Sequence, residues 1–537
     1  MLDRRHFLKI GFGTTSAILL PGCCPKSKQI VYTQDTKPIW KSNFYPLSPN
    51  KISLAQAPRP MIDTHVHIFN ASDLQVAGFL SGPIAYSFTN NTALISIIRK
   101  LAKPIEVISQ SMAISAKDEF EFLNEQSNKS LQSVEKSLEN KSNEIREEAI
   151  DKLYKAIKGK KVEAEINDYL RSSNGLLSSS SKQIYIEFSK DFLNEAYDLD
   201  SNLTENKNTF GDSQFGLGEV LGFIFKLLKM RFTNLKTYQK FYSEQPGSIT
   251  VTSCYASIVD FDYWIGRCDH TYSSLDDQVK VMEKISELSG GYMTPMVAYN
   301  PLTDIKENGA SLDLVSRAIK NHNFAGVKIY PPMGFFPYGN ATSPNYPTDA
   351  VRVDLKQLDE RLNALYKLCK DLKVPVMAHS NESMGRLPSH DILGGPEGWS
   401  AVFSQSQNHG LKINLAHFGG EEGGGSGEDG WTAKFIDLMK QPGSEGIYGD
   451  LGFWYEVVSK SGDAVERLKK HLSIPLSNGE TVADRVMFGS DWSMIATQKG
   501  WQTYASAFND AMKDLDSETI NKIYYQNAEK LFSRTMP

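Results

Sequence analysis

The chain has 537 residues, 40% hydrophobic, 23% charged and 11% aromatic, a near-average composition that excludes a disordered or collagen-like protein. Lys and Arg number 58 against 63 Asp and Glu, a formal charge of −5 that gives no sign of a nucleic-acid partner. Five cysteines are too few for a disulfide scaffold, and the length suits several domains of ~150 residues or one large barrel with an insertion.

Residues 1–24 read as a signal segment: a basic start with Arg4 and Arg5, an apolar stretch, then small residues. Ile10 to Leu20 is too short and glycine-rich to span a bilayer on the ~20-residue rule. The two arginines followed by Phe7, Leu8 and Lys9 resemble a twin-arginine signal, which exports folded proteins. Leu20-Pro21-Gly22-Cys23 resembles a lipoprotein cleavage box with Cys23 as the lipidated residue, although Pro21 is atypical there. The expectation is therefore an exported protein, periplasmic or held at a membrane only through a lipid on Cys23. Residues 25–60 are polar and proline-dotted, as in a linker. Cys254, Cys268 and Cys369 then remain in the body, allow at most one disulfide, and are expected to fill the core or stand free.

Met61–His67 reads as a first strand within residues 61–78. Residues 79–247 break the strand rhythm. Leu131, Val134, Leu138, Ile145, Leu153 and Ile157 make one apolar stripe among polar residues, which predicts a solvated helix. Gly216–Phe232 is more apolar but is interrupted by Glu219 and Lys226, and reads as a helix packed on the rest of the body. From residue 248 to 537 short apolar runs alternate with helical periods. Strands are expected at Ser248–Val259, Met293–Tyr299, Ala325–Tyr330, Val374–His379, Lys412–His417, Ile447–Gly452 and Arg485–Gly489. Amphipathic helices are expected at Leu275–Leu288, Leu312–Asn321, Leu355–Leu372, Trp399–Asn408 and Ala464–His471. Strands separated by helices pair in parallel. Eight such units predict an α/β fold, a (β/α)8 TIM barrel with a large, mostly helical insertion between its first and second strands.

The chemistry-bearing residues sit at the carboxyl ends of these strands. His65 and His67 alternate along the first strand and so face the same way, with Asp63 in phase. His379 ends the fifth strand, His417 the sixth, and Asp491 follows the eighth. Side chains at that rim of a barrel converge although hundreds of positions separate them.

This pattern resembles the amidohydrolase superfamily of metal-dependent hydrolases. IDTHVHIF, GVKIYPPMGF, VPVMAHS, INLAHFGG, RVMFGSDW and IYYQNAEKLF resemble its amidohydrolase-2 branch, over Met61–Asn70 and about Ser248 to Phe532. The resemblance implies a divalent metal, zinc by preference with manganese or iron as alternatives, held by His65, His67, His379 and Asp491. It implies a water acidified toward pKa ~7 by the ion, with Asp491 taking and returning its proton and His417 polarising a carbonyl. Lys328 corresponds to a position where some members carry a carboxylated lysine bridging two metals; the alternative is an ordinary lysine contacting Asp491 or substrate. With the bridge, His65 and His67 would bind one ion and His379 and His417 the other.

Arg386 and Asn381 follow the fifth strand and are candidates for contact with an anionic substrate, while Tyr330, Phe335, Trp454 and Trp492 are candidates for an apolar wall. Gly419–Gly427 reads as a loop at the mouth. The expected function is an exported hydrolase cleaving a C–N or C–O bond at a carbonyl of a small-molecule amide, lactone, cyclic imide or ester. The alternatives are a decarboxylase using the same metal site and a non-catalytic binding lipoprotein that works through its insertion.

Overall fold

The computed structural model describes residues 60–85, 91–126, 131–172, 187–198, 217–243, 249–265, 270–383, 385–420, 430–455, 464–498 and 500–533. Arg4, Arg5, Cys23, Cys268 and most of the glycine-rich loop after the sixth strand lie outside them.

Eight strands form one parallel sheet in sequence order: β1 Pro60–Val66, β2 Thr250–Ser257, β3 Met293–Ala298, β4 Val327–Ile329, β5 Val376–His379, β6 Ile413–Ala416, β7 Ile447–Asp450 and β8 Val486–Met487. The strands are buried almost throughout, which is why they read as apolar runs rather than as alternating stripes. Backbone bonds bring the segment following β8 onto β1: Thr64 N donates to the Phe488 carbonyl at 3.1 Å and Asp491 N to the His65 carbonyl at 2.7 Å. A parallel bridge from Val66 to Trp492 extends this closure. The result is a nearly closed (β/α)8 barrel, as the strand–helix alternation requires.

Register sets the strand ends level. Ala298 pairs with Lys328, Ile329 with Ala378, and His379 with Ala416, one residue before His417. Below that rim Ile62, Tyr255, Met296, Met377, Tyr448 and Met487 fill the interior. Phe532, on the helix Asn527–Phe532, closes the floor by stacking on Tyr255 with ring centroids 3.7 Å apart.

Among the described residues, seven α-helices of nine residues or more run between β1 and β2, α1 Thr92–Met112, α2 Ala116–Gln126, α3 Leu131–Ile157, α4 Lys161–Ser172, α5 Lys190–Asp198, α6 Leu217–Leu227 and α7 Arg231–Tyr242. A shorter helical segment, Val76–Phe79, precedes them. Helix α3 follows the apolar stripe expected for it. The single helix expected over Gly216–Phe232 is instead two, because the chain turns at Leu228–Met230 and buries Arg231 at the start of α7. No helix of the described residues is long and apolar enough to cross a membrane.

Crossover helices α8 Leu275–Leu288, α9 Ala310–Asn321, α10 Leu355–Asp371, α11 Pro396–Phe403, α12 Trp431–Met439 and α13 Ala464–Leu472 link β2 through β8. Cys254 and Cys369 are buried free thiols, as expected of core residues.

Candidate metal centre

The strand ends bring His65, His67, Lys328, His379, His417 and Asp491 together at one rim, all buried. His65 Nε2 lies 3.2 Å from His67 Nε2, 3.2 Å from Lys328 Nζ and 3.4 Å from Asp491 Oδ1. Asp491 Oδ1 is also 3.4 Å from His67 Nε2, and His417 Nε2 is 3.1 Å from His379 Nδ1. One ligand atom each from His65, His417 and Asp491 fall within 4.8 Å of one another. His417, which the resemblance assigns to carbonyl polarisation, thus lies inside the tightest group, while His379 adjoins it.

Partners behind the rings decide which nitrogens carry protons. His67 Nδ1 donates to the Ser257 carbonyl at 3.1 Å, and His417 Nδ1 to the Gly452 carbonyl at 2.8 Å. His65 Nδ1 donates to Asp450 Oδ1 at 3.1 Å. Each ring therefore presents a bare Nε2 to the centre. The Nε2 lone pairs of His65 and His67 face one another with no proton to share, and His379 Nε2 is buried without a hydrogen-bond partner among the described residues. Facing lone pairs beside a carboxylate repel one another, so this donor set fits a shared divalent cation.

Burial pushes the imidazoles of His65 and His67 well below their ordinary value, and the charge of Lys328 acts in the same direction. Burial and then His417 do the same to His379. His417 falls to about 4 through burial, with Asp450 opposing. The rings are thus neutral, the form in which imidazole binds metal. Burial drives Asp491 well above the usual carboxylate range against the pull of Lys328. Lys328 is lowered by burial to about 8, with Asp450 and Asp491 opposing.

The turns that carry these groups are strained. His417, Phe418, Phe453 and Asp491 all have positive φ, at 67°, 45°, 59° and 56°, a conformation that side chains other than glycine adopt only when their surroundings hold them there. Around His417 the restraint is visible: Trp454 Nε1 donates to its carbonyl at 2.7 Å.

A line of aromatic rings leads outward from the centre. Tyr330 stacks on His379 at 4.4 Å, Phe261 meets Tyr330 edge-on at 5.2 Å, and Phe79 of the insertion stacks on Phe261 at 6.2 Å. Gly82, just after Phe79, lies over the β5 loop: a Cβ there would stand 3.7 Å from the Gly385 carbonyl and 3.9 Å from that of Arg386. The insertion therefore covers the mouth beside β5. Asn381 is wedged against Gly420, and Phe335 packs on Trp264. Trp492 is fully buried against Tyr238 and Trp501, and Trp454 is buried as well, so the wall beside the centre is built from Tyr330 and Phe261. A separate cleft between α11 and α12, lined by Ile392, Gly395, Trp431 and Leu438 among others, includes none of the rim residues.

Asp450 was not singled out in the sequence. It closes β7 much as His379 closes β5, but the seventh strand as read from the sequence, Ile447–Gly452, runs two residues past it. No motif marks it otherwise.

Residues 295–534 match the family model described as amidohydrolase, a span that begins in β3 and leaves His65, His67 and the insertion outside. That segment is similar to amidohydrolases, a metal-dependent family, and the likeness supports an enzyme of the amidohydrolase type. Solved structures with partial likeness include a probable 2-pyrone-4,6-dicarboxylic acid hydrolase from Acinetobacter baumannii, 14% identical over 56% of this chain and 86% of that one, with a TM-score of 0.32. A manganese-bound 5-carboxyvanillate decarboxylase from Novosphingobium aromaticivorans is 12% identical over 53% and 77%, with a TM-score of 0.33. Dihydroorotase from Campylobacter jejuni is 14% identical over 52% and 76%, with a TM-score of 0.30. A search of curated proteins returns no match.

Proposed function

We propose that the protein is a metal-dependent hydrolase that cleaves a C–N or C–O bond at the carbonyl of a small molecule. The observation that carries this reading is the set of buried, neutral imidazoles whose Nδ1 atoms are engaged behind them and whose Nε2 atoms meet beside Asp491. His65, His417 and Asp491, with His67 and His379 adjoining, are the residues that would hold a divalent ion, zinc by preference. Such an ion, when bound, supplies an acidified water and a polarised carbonyl.

The chain supplies the rest. Burial raises the proton affinity of Asp491, which suits its carboxylate to accept a proton from the attacking water and return it to the leaving nitrogen or oxygen. The Gly452 carbonyl and Trp454 hold His417 in one orientation, with Nε2 aimed inward. Lys328 Nζ, 3.2 Å from His65 Nε2, brings a positive charge to the rim, where it would favour an oxyanion or a substrate carboxylate. Tyr330 and Phe261, roofed by Phe79, exclude water from one side. The lowered proton affinity of Lys328 also favours the free amine that carboxylation to a bridging carbamate requires. Export is part of the same proposal and rests on Arg4, Arg5 and the box ending at Cys23.

Metal analysis of the purified protein, joined to a screen of amides, lactones, cyclic imides and esters before and after chelation, tests this function. Turnover that disappears with the metal and returns on reloading supports it. Release of carbon dioxide without hydrolysis would replace it with a decarboxylase.

A further inference from the structure

The turn after β7 touches two of the rim histidines from behind. Asp450 is fully buried, and its Oδ1 accepts three hydrogen bonds: from His65 Nδ1 at 3.1 Å, His417 N at 3.1 Å and Gly452 N at 2.9 Å. Its Oδ2 accepts from Asn414 Nδ2 at 2.8 Å. Two residues on, the Gly452 carbonyl accepts from His417 Nδ1. One short turn thus holds the Nδ1 faces of both rings, one through a carboxylate and the other through a peptide oxygen.

Local sequence makes room for this contact. A Cβ on Gly452 would stand 2.7 Å from His65 Nδ1 and 2.9 Å from Asp450 Oδ1. A Cβ on Gly489 would stand 3.0 Å from both Asp450 Oδ1 and the Cβ of His65. Gly452 must lack a side chain if the carboxylate is to reach the ring, and Gly489 leaves little room for one.

We infer that Asp450 is a positioning residue that fixes the tautomer and orientation of His65, so that its Nε2 lone pair points at the cation. This rests on the cation site proposed above. Carboxylates placed behind ligand imidazoles make them more basic and hold them still, and their loss commonly weakens metal binding ~10–100-fold. A backbone clamp is the competing role, because the same oxygen also receives the His417 and Gly452 amides.

Asp450→Asn separates the two roles, because the clamp needs only an oxygen whereas the support of His65 draws on the carboxylate's charge. The amide keeps an oxygen for those backbone donors, and Asn414, whose own Oδ1 has no hydrogen-bond partner among the described residues, can turn to accept from the new NH2. Zinc affinity is measured by competition with a chromophoric chelator, alongside the Tm of the metal-free protein. The expected result is a 10–100-fold loss of zinc affinity with a nearly unchanged metal-free Tm. A variant that binds zinc as the parent does overturns the inference, whatever its stability. If the variant does not fold, 15N chemical shifts of histidine in the metal-free parent, assigned by the signal lost in His65→Gln, provide the second measurement. A proton on His65 Nδ1 supports the inference and a proton on Nε2 overturns it. A parent protein that binds no metal overturns the proposed function itself, a different result from a variant that binds as well as its parent.

Discussion

The barrel and its insertion build the site in different ways. In the barrel, backbone register does the work: parallel strands in sequence order set the His65/His67 pair, His379, His417 and Asp491 at one height without any local motif joining one strand to the next. The insertion adds no side chain to the cluster. It braces the strands from outside, through buried polar contacts, and roofs one side with Phe79. Arg231, at the start of α7, donates to Asp73 Oδ2 at 2.8 Å and to Glu119 Oε2 at 2.7 Å, tying β1's exit to α2. Tyr238, about two turns along α7, donates to Asp63 Oδ2 at 2.7 Å, and Asp63 Oδ1 in turn accepts from His65 N and Ser490 N at 3.1 and 3.0 Å. Lys226 of α6 lies 4.4 Å from the Trp492 ring and 4.2 Å from that of Trp501, beside the turn that carries Asp491. Loss of a rim group should therefore remove chemistry and spare the fold, whereas loss of a brace should cost stability first.

The largest effect is expected at the rim. Asp491→Asn should lower turnover by ~10²–10⁴-fold, the range for loss of an acid–base group, while circular dichroism and Tm stay close to the parent. A comparable loss of Tm would instead make Asp491 a structural residue.

The brace at Arg231 comes next. Burial alone pushes the Glu119 carboxyl upward, and Arg231 opposes that shift. Arg231→Ala leaves Asp73 and Glu119 buried without their cation, which should cost ~3–5 kcal/mol in chemical denaturation. Tyr238→Phe is milder. It removes one donor from Asp63, a carboxyl that burial already raises to about 6, and should cost ~1–3 kcal/mol.

At the opposite end of the barrel Glu480 offers a contrast without the insertion. Partial burial raises its carboxyl, but hydrogen bonds from Lys530, Asn478 and Arg485 outweigh that and hold it at about 2, against an ordinary 4.5. A carboxyl depressed in the folded state stabilises above its unfolded value and loses that contribution as pH falls, here between about 4.5 and about 2. Glu480→Gln should flatten the acid limb of stability in that window and cost ~1 kcal/mol at neutral pH after solvent screening. An unchanged acid limb would remove the pairing from the account.

The strands were legible because parallel barrel strands are apolar on both faces, and the histidines and Asp491 because they interrupt those runs at their ends. Helix α8 was bounded correctly at both ends: Ser274 caps its start and its apolar residues recur at helical spacing. The break between α6 and α7 was not legible, since apolar residues flank it and Arg231 reads as a surface residue until Asp73 and Glu119, far off in sequence, meet it. Asp450 and the positive φ values at His417 and Asp491 were hidden for a related reason: both arise from tertiary contacts that hold a turn in place.

The central claim is that side chains from the ends of β1, β5, β6 and β8 grip a common divalent cation. The most direct test is a crystal of the natively purified protein, with anomalous diffraction recorded on either side of the metal absorption edge. The account predicts an anomalous peak among His65, His67, His379, His417 and Asp491. Crystals of active protein with these side chains ordered and no peak between them would contradict it.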